Sequence, residues 1–485
     1  MTTTNNNNLP LLPVDRQWLR KLLKKHGRPD DEPAIVCAPM VDQSDLPFRL
    51  LCREYGVNLC FTPMVHAKLF MNNQKYRQSF TLQHLPSQDR PLIAQICGSD
   101  VQTVCACARL LEPYCDGIDL NCGCPQKIAK RGAYGAYLLE QPDILLPVVT
   151  ALLQTVRVPV SVKVRLLPQT QDQPPGKENH GADEAKTDTK PPKNDNTLAA
   201  MNEFAEQGYH EQGCDTTTDD CAAAVVPPEF QPSLEASLRL YRQLVDAGVH
   251  MLTIHGRTRH QKGPWTCKAD WAAIRLVVQE LGDRIPILAN GSIASAQEAT
   301  ECLAATGCDG IMSSEGLLEY PPLLQALTMR NHPNTRLPRV GRVELARRYL
   351  AYARQYPPDQ GGQGSGIKCI RIHIHRFCHA DFQDDSPVAR RLRDAVVNQT
   401  TIEGLADILD QIQAIHDAQG HDVQSEELSW YRRYTEKNER GEYVNVMERR
   451  LAQDRMAKAS NDTEGEAEAM NMATFFGSAN DNEEW

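Results

Sequence analysis

Gly117-Ile118-Asp119-Leu120-Asn121-Cys122-Gly123-Cys124-Pro125-Gln126-Lys127 decides the fold. Its first residues have the length and apolar character of a buried strand, and the Gly and Pro that follow break the strand into a loop presenting a cysteine. A thiol therefore stands where a strand ends. Lys127, Lys130 and Arg131 come next, and their cationic field favours thiolate and attracts a phosphate chain. The combination points to chemistry on a nucleic acid. Two plainer readings compete with it. A CxC pair with no second CxxC or His pair beside it does not supply the four ligands of a structural zinc, so no metal site is expected. Cys122 reads as a small core residue, as free cysteines usually are. For Cys124, between Gly123 and Pro125, structure and chemistry are evenly matched.

The same pattern recurs on both sides. Apolar runs at 34–40, 58–62, 92–96, 158–165, 251–255, 285–290 and 309–312 join 117–121 to make eight strands, alternating with helical stretches such as 47–55, 100–112, 142–155, 234–247, 271–282 and 294–306. Such alternation implies a parallel sheet covered on both faces, and eight units close into a (β/α)8 TIM barrel. An open doubly wound sheet is disfavoured because no GxGxxG turn follows the first strand. Gln95, Asn121, Lys163, His255 and Asn290 fall at strand ends, the carboxyl face on which barrels carry their active sites.

Four boundaries follow. Residues 1–30 are an extension with a short amphipathic helix at 16–25, and 31–332 are the barrel. Within the barrel, 168–233 has thirteen Asp/Glu against four Lys/Arg and few apolar residues, so it reads as a disordered insertion at the rim. Past Pro333 the alternation stops and helices are expected at 340–356, 367–382, 385–398 and 402–419, a smaller all-helical domain spanning 333–424. The remainder, 425–485, reads as a charged, partly helical and partly disordered tail.

The formal charge of −10 would argue against a nucleic-acid partner were it uniform, but 330–393 holds thirteen Lys/Arg against five Asp/Glu. Sixteen cysteines without an apolar leader read as reduced thiols in the cytosol or nucleus. No run reaches the ~20 apolar residues of a membrane span. A monomer with no membrane or DNA partner is the expectation.

At this point the residues resemble the tRNA-dihydrouridine synthase family, most of all its eukaryotic class acting on D-loop positions 16 and 17. The stretches that carry the resemblance are Ala38-Pro39-Met40, Ala94-Gln95-Ile96, Asn121-Cys122-Gly123-Cys124-Pro125-Gln126, Val162-Lys163-Val164-Arg165, His255-Gly256-Arg257-Thr258-Arg259 and Asn290-Gly291-Ser292-Ile293. The resemblance implies a tightly bound FMN, NADPH or NADH as reductant, and tRNA as substrate. It implies hydride addition to C6 of uridine and protonation of C5 by Cys124 as general acid.

Each strand end then has an implied task. Pro39, Met40 and Val41 would pack on the isoalloxazine edge, Gln95 would bond its polar rim, and Lys163 would face N1/O2. His255 would sit at the phosphate or ribityl side. Asn290-Gly291-Ser292 and Ser314-Glu315-Gly316 would form the phosphate site from backbone N–H groups. Many family members carry Gly-Arg where this chain has Ser314-Glu315, so a carboxylate stands at the phosphate end. Asn121, Arg165 and Arg257 are candidates for gripping an extruded uracil. Arg336, Arg339, Arg342, Arg347, Arg348, Arg371, Arg376, Arg390, Arg391 and Arg393 could hold tRNA phosphates, with Lys127, Lys130 and Arg131 at the rim. The rivals are a barrel flavoenzyme acting on a small pyrimidine, for which the basic helical part has no use, and an RNA-binding protein with an inactive barrel. A Schiff-base role for Lys163 would leave Cys124 and Gln95 unexplained.

Overall fold

The computed structural model describes residues 12–29, 32–80, 85–169, 231–329, 339–358, 366–383, 386–419, 428–438, 443–446 and 449. Eight parallel strands form the centre: β1 Ala34–Cys37, β2 Leu59–Phe61, β3 Leu92–Cys97, β4 Gly117–Cys122, β5 Val160–Arg165, β6 Met251–His255, β7 Ile287–Asn290 and β8 Gly310–Ser313. Each pairs with the next, and β1 closes on β8 through Ala34↔Gly310 to Cys37↔Ser313, so the ring has no open edge. This is the expected TIM barrel. A two-residue strand, Val65–His66, adds to β3.

Alternation along the strands sorts the side chains into two environments. Residues such as Ile118, Leu120 and Cys122 on β4, or Val160, Val162 and Val164 on β5, point outward into the layer shared with the helices. Cys122 is thus the core residue it was read to be. The inward set is apolar near the amino ends, where Val36, Leu59, Phe61, Ile93, Met251, Leu288 and Met312 fill the barrel. Toward the carboxyl ends it turns polar, with Gln95, Asp119, Asn121, Ser161, Arg165, Thr253 and Asn290 all buried. The helix Trp18–Lys25 stoppers the amino end: Trp18, Leu19 and Leu23 join the inner apolar cluster, and the Trp18 indole donates to the His250 carbonyl at 2.6 Å.

The helices Arg342–Gln355, Ile367–Phe377, Pro387–Asn398 and Ile402–Gln419 follow the barrel. They bury Leu345, Tyr349, Ile370, Phe377, Leu405 and Leu409 in the same apolar cluster as the barrel's outer layer, so the helical part shares its core with the barrel. Asp45, before the helix Leu46–Glu54, joins the two through Tyr349 Oη and His373 Nε2, both at 3.0 Å.

Several arginines expected to face phosphates are engaged elsewhere. Arg342 is buried and donates to the Glu319 carbonyl, Arg347 pairs with Asp410 at 2.6 Å, Arg348 with Glu344 at 2.8 Å, and Arg371 donates to the Val397 carbonyl. Packing between helices favoured intramolecular acceptors that sequence cannot display. Arg336 lies outside the described residues.

The expected insertion falls almost wholly outside the described residues, but its two ends meet: Pro168 bridges Pro232, and the Gln169 N–H donates to the Gln231 carbonyl at 2.9 Å. The charged tail is a different matter. The described residues 428–438 and 443–446 include an antiparallel pair of strands, Thr435–Lys437 with Tyr443–Asn445, lying over the carboxyl face. Among the described residues no helix is long and apolar enough to cross a membrane.

Candidate active site

The carboxyl half of the barrel interior is tied by one run of hydrogen bonds. Ser161 Oγ donates to Asp119 Oδ1 at 2.6 Å, Gln95 Nε2 to Asp119 Oδ2 at 2.8 Å, and Asn121 Nδ2 to Gln95 Oε1 at 2.8 Å. Asn121 Oδ1 then accepts from the Gly123 and Cys124 N–H groups at 3.2 and 3.0 Å. Burial raises the Asp119 carboxyl to about 6 against the bonds from Ser161 and Gln95. The outcome is mechanical: three strands fix the loop that presents Cys124. Asn121, expected at the uracil, has its carbonyl oxygen committed to that loop.

Cys124 is half-buried against the apolar cluster of Met64, Cys97, Ala129 and Tyr134, on which Val41 and Tyr137 also pack. Its backing is tight. Gly135 has φ +68°, and a Cβ there would meet the Cys124 carbonyl oxygen at 2.7 Å and its Cβ at 2.9 Å. Burial pushes the Cys124 thiol up from its ordinary value, while the Gln126 N–H, then Arg165, Lys262 and Lys163, pull it down without offsetting that rise. Lys127, Lys130 and Arg131, expected to favour thiolate, instead stand exposed on the short helix Lys127–Arg131. The chain turns their side chains to solvent. Burial thus favours the thiol over the thiolate.

Lys163 and Asn290 face each other across the barrel mouth, with Lys163 Nζ donating to Asn290 Oδ1 at 3.0 Å. Asn290 Nδ2 donates in turn to the Met312 carbonyl at 2.9 Å. Burial, then Arg165, bring the Lys163 ammonium down to about 8. Arg165 is held by the Gly123 and Thr258 carbonyls, each at 2.8 Å, and burial followed by Arg257 lowers its pKa to about 9. Lys262 Nζ reaches the Pro125 carbonyl at 2.7 Å, joining the loop after β6 to the loop of Cys124.

Beyond Arg165 a cavity of about 780 Å³ opens, lined by His255, Arg257, Asn290, Gly291, Ser292, Ser314, Glu315 and Gly316 among others. Arg257 is its hub, with Nη1 against His255 Nε2 at 3.0 Å, Nη2 donating to Ser292 Oγ at 3.0 Å, and Nε to the Cys267 carbonyl at 2.5 Å. A guanidinium only donates, so His255 Nε2 accepts and the ring proton sits on Nδ1. Burial and the neighbouring Arg165, Arg257 and Lys163 drive the His255 pKa well below 6.5, which keeps the ring neutral. The backbone turns sharply at Gly291, φ +110°, where a Cβ would lie 3.0 Å from His255 Cδ2. The far wall comes from the described stretches 428–438 and 443–446, through Tyr431, Arg432, Arg433, Tyr434, Tyr443 and Asn445.

That wall is anchored from below. The buried Glu319 carboxylate accepts from Ser429 Oγ at 3.1 Å and from the Trp430 and Tyr431 N–H groups at 3.1 and 2.9 Å. Asn445 Nδ2 donates to the Thr266 carbonyl at 2.9 Å.

The structure thus gathers Gln95, Asn121, Cys124, Lys163, Arg165, His255, Arg257, Asn290, Gly291, Ser292, Ser314, Glu315 and Gly316 around one barrel mouth, with the half-buried Pro39, Met40 and Val41 following β1. Sequence reasoning missed Asp119, Lys262, Glu319 and Arg433. The inward positions 119, 121, 161, 163, 165, 253 and 255 are polar at alternate residues, a signal that could have found Asp119. The run Trp430-Tyr431-Arg432-Arg433-Tyr434 is too aromatic for a solvated tail.

The sequence pattern of dihydrouridine synthase (Dus) matches residues 36–174 and 229–417. The mouse protein named tRNA-dihydrouridine(16/17) synthase NAD(P)(+)-like (Mus musculus) is 33% identical over 76% of this chain, which spans 60% of that relative. The budding-yeast tRNA-dihydrouridine(16/17) synthase NAD(P)(+) (Saccharomyces cerevisiae) is 33% identical over 67% of this chain and 60% of its own. The fission-yeast protein of that name (Schizosaccharomyces pombe) is 28% identical over 85% of this chain and 89% of its own. With its barrel, its cysteine loop and the greater part of its length inside that pattern, the chain belongs to the dihydrouridine synthase (Dus) family.

Proposed function

We propose that this chain reduces the C5–C6 bond of uridine in the D-loop of tRNA, at positions 16 and 17, using FMN and NADPH or NADH. The observation that carries the reading is the half-buried Cys124 thiol, pushed by burial toward its protonated form, on a loop whose Pro125 and Gln126 line a cavity with Arg257 and Arg433 on its wall. Mouse and yeast relatives named for uridines 16/17 support the choice of substrate and position.

The residues present fit a flavin mononucleotide. A cavity of about 780 Å³ lies in the range of small-molecule sites, ~300–1,000 Å³. Lys163, bonded to the cavity-lining Asn290, offers an ammonium for the N1/O2 edge from beside the cavity; on the cavity wall, Arg257, the sharp turn at Gly291 and the left-handed Ser292, φ +59°, offer a phosphate cradle. Pro39, Met40 and Val41 would meet the ring edge. Bound and reduced, flavin supplies hydride. Uracil also needs one proton, and Cys124 Sγ holds it, kept there by burial. Arg165, fixed by two carbonyls beside Cys124, is suited to orient the uracil carbonyls. Gln95 and Asn121 act by holding the Cys124 loop. Lys127, Lys130 and Arg131 are suited to tRNA phosphates, being exposed next to the loop.

Replacing Cys124 by Ala tests the reading. Flavin binding and its reduction by NADPH should persist, and dihydrouridine formation, followed in unmodified tRNA, should fall at least ~100-fold, the usual scale of general acid catalysis. Normal turnover by the variant would remove Cys124 from the chemistry.

A further inference from the structure

Glu315 is the anomaly of the phosphate end, a carboxylate at the start of the helix Glu315–Glu319 and on the cavity wall. It does not stand there alone. Arg433, more than a hundred residues later in the chain, approaches it with Nη2 3.3 Å from Oε1 and Nη1 3.5 Å from Oε2. The guanidinium is held from several sides: Nη1 donates to the Trp430 carbonyl at 2.9 Å, and its central carbon lies 4.4 Å from the Trp430 ring centre and 4.6 Å from that of Tyr434. Arg376, from the helix Ile367–Phe377, lies against the same Trp430 ring at 4.6 Å. A side chain so fixed on a cavity wall is already in a bound conformation.

Charge at this end has a definite sign. Burial acts to raise the Glu315 carboxyl, yet Arg433, Arg376 and Arg257 outweigh it and hold the group below its ordinary value. Three guanidiniums against the two carboxylates of this wall, Glu315 and Glu298, leave a positive surplus. A phosphate meeting Glu315 without them would be repelled.

We infer that Arg433 supplies, at the phosphate end of the cavity, the cation that Ser314-Glu315 lacks, so that the segment 428–446 is a wall of the cofactor site. The inference rests on the flavin reading above. It makes FMN affinity depend on a residue that lies outside the barrel. Its rival is structural: Arg433 masks Glu315 and seats the segment, with no contact to phosphate.

Riboflavin, which is FMN without its phosphate, separates the two. The full-length chain, freed of flavin, is titrated with each ligand and followed by flavin fluorescence. Arg433→Gln should raise the Kd for FMN roughly tenfold, the scale of one charge-assisted hydrogen bond, and shift riboflavin by less than about twofold. Glu315→Gln should keep or tighten FMN binding, because it frees Arg433 without removing it. The double variant should stay weak toward FMN. Wild-type FMN affinity in Arg433→Gln, equal loss of both flavins, recovery of FMN affinity in the double variant, or weakening by Glu315→Gln would each overturn the inference. A wild-type chain that binds neither flavin would instead sink the flavin reading itself, and the inference with it.

Discussion

At Cys124 the decisive quantity is the balance between burial on one side and the Gln126 N–H with three nearby cations on the other, and burial wins. An acid that must carry its proton works best below its own pKa, so the sign of the pH dependence follows. With reduced enzyme mixed with tRNA in a single turnover, the rate should be level through neutral pH. It should fall only as pH rises past the ordinary thiol value of 9.0. A falling limb near pH 8 would hand control to Lys163, whose ammonium gives up its proton at about 8. The cysteine was legible from its loop, but its protonation was not. Lys127, Lys130 and Arg131 are its neighbours in sequence, whereas Arg165, Lys262 and Lys163 arrive from other strands and loops.

At the scale of elements, the eight strands were legible because apolar runs at regular intervals leave few alternatives to a closed parallel sheet. The final wall of the site was not. It is held by stacking of Arg376 and Arg433 on Trp430 and by the Glu319 carboxylate beneath, contacts with no period along the chain. Glu319 accepts three hydrogen bonds from Ser429, Trp430 and Tyr431, so its removal strands three donors. Glu319→Ala should destabilise the chain by about 2–4 kcal/mol and open 428–446 to limited proteolysis while the barrel's circular dichroism persists. Continued protection of the segment would show that its anchor lies elsewhere.

Across the whole molecule, net charge misleads and its distribution informs. The chain is acidic overall, yet exposed Lys127, Lys130 and Arg131 stand beside the Cys124 loop. In the helical part Arg342 is buried against the Glu319 carbonyl and Arg371 donates to the Val397 carbonyl, whereas Arg347 and Arg348 form exposed ion pairs and Arg339, Arg390 and Arg391 are exposed, so this face stays a candidate for tRNA phosphates beside the rim. Changing Lys127, Lys130 and Arg131 together to Ala should therefore weaken tRNA binding and flatten its salt dependence by about one unit of log–log slope per lost phosphate contact, with flavin content unchanged. An unaltered slope would move the contact surface away from this rim. The helical part itself was legible as helices. Its shared core with the barrel was not, because Asp45, Tyr349 and His373 carry no local sign of meeting.

The two sides of the cavity are separated by most of the polypeptide: the loop of Cys124 comes early and the wall bearing Arg433 comes late. During synthesis on a ribosome, the barrel is complete well before residue 446 emerges, but its cavity still lacks one side. On the flavin reading proposed above, a chain that stops before Trp430 should bind FMN more weakly than one that carries the wall with Arg433, a difference that titration by flavin fluorescence measures.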